Sequence, residues 1–318
     1  MKSSILFFTM IVTAVAMAQP PDTLWTRTFG GSGTDWGRSV QQTSDGGYII
    51  TGCRDLYLST SGDIWLIKTD SQGDSLWTRT FGGSNQDYGR SVQQTSDGGY
   101  IITGDTRSYG AGSTDVWLIK TDSNGDSLWT RTFGGGDEDR GNRVQQTDDG
   151  GYVITGWTSS YGAGSYDVWL IKTESDGNCL WTRTFGQSYF DWGNCVQQTT
   201  DGGYIISGCI GAYSPGSANV WLIKTDPLGV QQWQRTFGGS GGDDGNSVQQ
   251  TADGGYVIAG QTTSYGAGMY DVWLIRLAAE LPLLSLSLDS LNFNAEVGGT
   301  NPADQQFQIT NAGGGSFD

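Results

Sequence analysis

The sequence contains no histidine, and that absence removes more chemistry than any other feature. Ser-His-Asp and Cys-His catalysis are excluded, as is every metal site built on imidazole. Cations are scarce too: 17 Lys and Arg stand against 33 Asp and Glu, a net charge of −16. Such a surface repels phosphate backbones, so nucleic acid is not an expected partner. There is no nucleophile elbow, phosphate loop or clustered metal-ligand motif. The four cysteines, Cys53, Cys179, Cys195 and Cys209, do not recur with the repeat described below, so the fold does not rest on them. A hairpin turning at Asp201–Gly203 would set Cys195 and Cys209 roughly opposite each other, where an exported protein can oxidise them. Free thiols are the simpler expectation.

Long apolar runs are also missing, with one exception, Ile5 to Met17. It follows Lys2 and ends at the small residues "AMA" (16–18). That is the pattern of a secretory signal peptide, too short for a membrane span. No cysteine follows it to carry a lipid. The expectation is a protein that is secreted or held at the cell surface, with no transmembrane segment after cleavage at residue 18.

What the chain has in abundance is repetition. The Trp of "LWTRTFGG" and its variants falls at Trp25, Trp77, Trp129, Trp181 and Trp233, always 52 residues apart. The Trp of "[IV]WLI" keeps the same spacing at Trp65, Trp117, Trp169, Trp221 and Trp273. Within one repeat, "SVQQT" (91–95) and "YIITG" (100–104) flank the turn "SDGG", while "DVWLIKT" (115–121) and "LWTRTF" (128–133) flank "DSNGDS". All four runs are rich in β-branched and aromatic residues and carry no proline, so each reads as a strand. Four antiparallel strands every 52 residues is the signature of a β-propeller blade. The expected fold is all-β, with five four-stranded blades over 19–277. The chain starts its repeats with a lone "LWTRTF" and ends them at "DVWLIRL" (271–277). Leu24–Phe29 is therefore expected to complete the fifth blade and close the ring, since open sheet edges are avoided. The recurring Arg27, Arg79, Arg131, Arg183 and Arg235, and Gln pairs such as Gln93 and Gln94, read as structural because every blade has them.

The run "TFGGSGTDWGRSVQQTSDGGYIITG" with its following "D-x-W-L-x-K" resembles the bacterial seven-bladed propeller (SBBP) repeats, and its Gly-Gly pair and late Trp look like kelch repeats. The resemblance covers Leu24 to about Leu277. It implies a propeller but no particular task, and the five copies here imply five blades rather than seven. The tail, 278–318, changes style after a linker. "LNFNAEV" and "QQFQIT" look like two strands opening a BACON-type immunoglobulin-like domain, which at this length would be partial.

Candidate site residues lie on the face with the longer connections. Each blade crossing carries an invariant carboxylate: Asp35, Asp87, Asp139, Asp191 and Asp243. The loops around "SYGAG" carry Tyr57, Tyr109, Tyr161, Tyr213 and Tyr265. A ring of carboxylates and tyrosines is able to bind a Ca²⁺ ion or stack sugars. Against this, repetition in every blade is what a folding requirement produces. Turn acids such as "DSNGDS" lack the late Glu of a calcium loop, so no cofactor is expected. The positions after the invariant Asp vary instead: Trp36, Tyr88, Arg140, Trp192 and Asp244. Variation on a rigid scaffold is where recognition resides. The functional expectation is a non-catalytic binding or structural scaffold for a protein or glycan. The alternative is an accessory or catalytic part of a carbohydrate-active enzyme that uses loop carboxylates.

Overall fold

Strand-forming runs separated by glycine turns leave little room for helix, and in the computed structural model the described residues (22–56, 62–212, 218–280, 284–286 and 309–311) contain none. Blade one comprises β1 (Thr34–Gln42), β2 (Tyr48–Leu56), β3 (Asp63–Thr69) and β4 (Ser75–Phe81). Blade two comprises β5 (Asp87–Gln94), β6 (Tyr100–Thr106), β7 (Asp115–Thr121) and β8 (Ser127–Phe133). Blade three runs through β9 (Asp139–Gln146), β10 (Tyr152–Thr158), β11 (Asp167–Thr173) and β12 (Cys179–Phe185). Blade four holds β13 (Phe190–Gln198), β14 (Tyr204–Ala212), β15 (Asn219–Thr225) and β16 (Gln231–Phe237). Blade five holds β17 (Asp243–Gln250), β18 (Tyr256–Thr262) and β19 (Asp271–Leu277). In each sheet the strands pair antiparallel in chain order. The first strands β1, β5, β9, β13 and β17 all line one cavity of about 290 Å³. Five sheets standing around a common axis make a β-propeller arrangement.

The "DGG" turn shows why the repeat keeps its wording. Gly98 takes φ 82, which favours glycine, and Gly99 leaves no room for a side chain: a Cβ there would lie 2.2 Å from the Thr121 carbonyl and 2.6 Å from Lys120 Nζ. Lys120 is buried and held by Asp97 at 2.8 Å and by the Thr121 carbonyl at 2.8 Å. The same ion pair ties Lys68 to Asp45, Lys172 to Asp149 and Lys224 to Asp201. In the fifth blade Arg276 and Asp253 take these places.

Blades bury their faces on one another. Ile101, Val116 and Leu118 of blade two pack against Val144, Tyr152, Ile154, Trp169 and Ile171 of blade three, with Trp129 and Phe133 of β8 at the margin. Equivalent clusters join one to two, three to four and four to five. Each large apolar side chain so buried contributes ~1.5–3 kcal/mol. Both glutamines of each pair stitch the junctions. Gln93 Oε1 accepts from the Gln146 amide at 2.6 Å, and Gln146 Oε1 accepts from the Ser96 amide at 2.8 Å. The pattern repeats at the other junctions from blade one to blade five. The repeated arginines are structural as well. Arg27, Arg79, Arg131 and Arg183 lie 5.2–5.8 Å over the Trp two residues earlier, and Arg79 reaches Asp126 of the next blade at 3.0 Å. Arg235 lies over Phe237 instead.

The ends differ from expectation. The fifth sheet has three strands, and Leu24–Phe29 pairs with none of them. The segment lies on blade one instead, with Trp25 against Tyr48 at 5.7 Å and Arg27 on Asp74 at 2.8 Å. These contacts copy those of Trp77 with Tyr100 and Arg79 with Asp126. The segment thus occupies the outer-strand station of a preceding blade, while β19 keeps an open edge. Its Val272 and Leu274 are 90% and 69% exposed, where their counterparts Val116 and Leu118 are fully covered. On blade one, Val40 is 65% exposed against 5% for Val92. In the tail, Leu284–Leu286 pairs antiparallel with Ile309–Asn311. The second of these overlaps the end of "QQFQIT", whereas "LNFNAEV" and the signal segment 1–18 lie outside the described residues.

The lysine–aspartate stitch makes the fold acid-sensitive. Burial alone would raise the Asp97 carboxyl, but hydrogen bonds from Lys120, Thr95 and Gly99 outweigh it and hold it at about 2. Asp45, Asp149 and Asp201 are lowered as well, Asp45 chiefly by its hydrogen bond from Lys68. A depressed folded pKa contributes stability above the unfolded value near 3.8 that is lost as pH falls through the folded one. Chemical denaturation is therefore expected to show stability declining from pH 4 toward 2. Asp97→Asn, which strips the buried Lys120 of its counter-charge, is expected to lose ~2 kcal/mol at pH 7 and to flatten that acid limb.

Candidate functional site at the mouth of the ring

The invariant aspartates build the mouth rather than face it. Asp87 accepts from the Thr106 hydroxyl, from Ser108 Oγ at 2.7 Å, and from the amides of Gly83 and Arg107 at 3.0 and 3.2 Å. It thereby ties the blade crossing to the loop after β6. Asp139 and Asp243 repeat this with Thr158 and Ser160, and with Thr262 and Ser264. Asp35 and Asp191 take backbone donors, from Gly31 and Asp55 and from Gln187 and Gly211. The donors from Asp55 and Gly31 hold the Asp35 carboxyl below its ordinary range. A cation at these positions would find the oxygens engaged, and among the described residues no group of three or more His, Cys, Asp or Glu is placed to hold a metal. Tyr109, Tyr161 and Tyr265 donate to the Gly82, Gly134 and Gly238 carbonyls at 2.8–2.9 Å and rest against Trp117, Trp169 and Trp273. Tyr57 and Tyr213 lie outside the described residues.

The variable residues after each Asp sit in strands, not loops, which corrects the sequence reading. Once the aspartate fixes the crossing, the ladder begins at once, and Tyr88 stands opposite Asp105, Arg140 opposite Trp157, and Trp192 opposite Cys209. Trp36, Tyr88 and Arg140 converge on one pocket of about 190 Å³, together with Arg38, Arg90 and Arg107. Trp192 and Asp244 belong elsewhere. Trp192 packs on the buried Cys209 and Ala218, as Phe190 does. Asp244 accepts from Asn194 at 2.8 Å, and burial pushes its carboxyl up against the hydrogen bonds from Asn194 and Trp192.

Around the pocket, guanidinium groups outnumber carboxylates. Arg90 forms an ion pair with the buried Asp105. Arg140 lies 3.9 Å from Asp105 and 3.6 Å from Glu138, stacks 4.9 Å over Trp157, and leaves its Nε without a hydrogen-bond partner. Arg38 stacks 4.8 Å over Trp36, whose indole is 37% exposed, and Arg107 Nε donates to Thr114 at 3.3 Å. Tyr88 donates its phenol to Gln86 at 2.8 Å. Sequence reasoning passed over Arg38, Arg90, Asp105 and Arg107. The usable signal was departure from the repeat: Asp105 stands where other blades have Cys53, Trp157, Cys209 and Gln261.

The cysteines are free. Cys195 stands opposite Ser207 and Cys209 opposite Trp192, because the hairpin centres on Asp201 and shifts register between Gly193 and Cys195. Burial pushes the Cys53 thiol up to about 11 and the Cys209 thiol up further, so both stay protonated and unreactive.

The two exposed-face tryptophans are thus predicted to behave differently. Trp192→Ala removes a packed side chain and is expected to cost ~2–3 kcal/mol in thermal or urea unfolding. Trp36→Ala is expected to stay within ~1 kcal/mol of the parent.

No family model matches the chain. Over 222 residues, 61% of its length, it is 26% identical to the regulatory protein FlaEY of Caulobacter vibrioides, of which the match spans 23%. Among solved structures it is similar to the Pan2 WD40 domain of Neurospora crassa, with TM-score 0.48 and 10% identity over 77% of this chain and 65% of that one. It is also similar to a putative exo-β-1,3-galactanase of Bifidobacterium bifidum, with TM-score 0.43 and 13% identity over 88% of this chain and 92% of that one.

Proposed function

We propose that this chain is an exported, non-catalytic propeller that recognises a protein or glycan at the mouth of its ring. The observation that carries this reading is the pocket where Trp36, Tyr88 and Arg140 meet Arg38, Arg90 and Arg107. Every invariant polar group around it is committed to the fold, whereas these side chains differ from blade to blade. A variable, partly exposed aromatic and cationic surface on a rigid ring is what recognition uses. Residues 1–18 act as the signal peptide, 19–277 as the propeller of the SBBP and kelch-like kind, and 278–318 as a linker with part of a BACON-type domain. A hydrolytic reading would need two carboxylates flanking an open cleft, one of them raised. The raised carboxyls Asp63, Asp115 and Asp167 lie under the loops, with burial as their main cause. Asp244 is engaged by Asn194.

We also propose that the ring closes through Leu24–Phe29 joining β19. The segment already lies against blade one as a preceding blade's outer strand does, and β19 offers the apolar edge that such a strand covers in other blades. One strand would serve both blades.

The functional reading is tested with the purified 19–318 chain and a panel of polysaccharides. Retention on one or more of them, without release of reducing sugar, is expected. Reducing-sugar release would replace recognition by hydrolysis.

A further inference from the structure

We infer that the mouth pocket binds a glycan through an isolated carboxylate, that of a single uronic-acid residue; this rests on the recognition reading above. The pocket is the cationic exception on an acidic molecule. Of 17 Lys and Arg in a chain of net charge −16, Arg38, Arg90, Arg107 and Arg140 line this one cavity. The carboxylates paired with them are Asp105, buried and shared by Arg90 and Arg140, and Glu138, 3.6 Å from Arg140. Arg38 and Arg107 have no ion-pair partner among the described residues. Four guanidinium groups against two carboxylates leave a local surplus that a bound anion neutralises. Arg140 Nε makes no hydrogen bond, and the carboxylate oxygen it faces is Asp105 Oδ2 at 3.9 Å.

The chemistry of the surplus points to a carboxylate. Guanidinium forks match planar carboxylates with two parallel hydrogen bonds. At about 190 Å³ the pocket is smaller than the ~300–1,000 Å³ of a site for a drug-sized ligand, so it admits one charged ring. The Trp36 indole, under the Arg38 guanidinium at 4.8 Å, adds an aromatic wall to the pocket beside which a sugar ring can pack. The surrounding charge restricts the rest of the ligand. A polyanion would meet the acidic surface beyond the pocket, whereas an otherwise neutral chain with one uronate would not.

Each arginine in the pocket arises where the repeat departs from itself. Arg38 and Arg90 become Asn142, Asn194 and Asn246 in later blades, Arg140 stands where the others have Trp36, Tyr88, Trp192 and Asp244, and Arg107 stands where the others have Asp55, Ser159, Gly211 and Thr263. The fold is built without arginine at these positions elsewhere in the ring.

The test is calorimetric titration of the full chain with a xylo-oligosaccharide bearing one glucuronate, with the same oligosaccharide unsubstituted, with polygalacturonate, and with an acidic peptide. Tightest binding is expected for the singly charged oligosaccharide, at least tenfold above its neutral counterpart and falling with added salt. Arg107→Gln and Arg140→Gln should each weaken it at least tenfold while the melting temperature is unchanged. Arg90 is left intact because it neutralises buried Asp105. Equal binding of the neutral oligosaccharide, lost on Trp36→Ala, would overturn the carboxylate inference and leave glycan recognition standing. Tighter binding of the peptide or of polygalacturonate would overturn it too. Absence of binding by all four at millimolar concentration would overturn it, and the polysaccharide panel would then decide whether recognition itself survives.

Discussion

No blade of this protein covers its own faces. Each sheet is apolar on both sides, and its stability depends on the neighbour being docked in register, which the glutamine pairs enforce. Gln93 and Gln146 bind across the same junction in opposite directions, so neither blade can slide along the axis without breaking both contacts. The 52-residue spacing follows from this requirement. A residue inserted within a strand would misalign the interface that strand makes, and the repeated strands carry none.

The same constraint explains which residues were legible. Strand positions, turn glycines and the structural reading of the arginines and glutamines could be recovered from the sequence because they recur in every blade. The "DGG" turn and "WLIK" were visible as motifs, yet the ion pair between Lys120 and Asp97 was not, since 23 residues separate them and only the hairpin geometry brings them together. The invariant aspartates looked like a possible metal ring, but a carboxylate that organises its own loop repeats just as faithfully as one that binds a ligand. At the mouth, Trp36, Tyr88 and Arg140 were legible as variable positions. Arg107 and Asp105 were not, because the register of β5 with β6 decides which loop-end residues share their pocket.

A division of labour results. Repeated residues hold the blades together, and several departures from the repeat gather in one pocket where the first three blades meet. Trp192 and Asp244 show that variation alone is an incomplete guide: they vary like the others, but Asp244 is engaged by Asn194 and Trp192 packs on Cys209 and Ala218. What distinguishes the pocket is variation combined with unspent charge. Arg38 and Arg140 stack on tryptophans and retain donors beyond what their local partners take up.

The central claim is that blade faces must be covered, and the two ends of the repeat array test it. Thr26 is the counterpart of Thr130, which pairs with Ile119, and Ile275 is the counterpart of Ile119. If Leu24–Phe29 completes blade five, Thr26 and Ile275 come within the ~5 Å of directly paired strand residues, close enough for a disulfide. The measurement is oxidation of Thr26→Cys with Ile275→Cys in a Cys179→Ser background, followed by mass and gel analysis. The account predicts a monomeric, intramolecular disulfide that raises the melting temperature. Thiols that stay reduced, or that link separate copies, would contradict it.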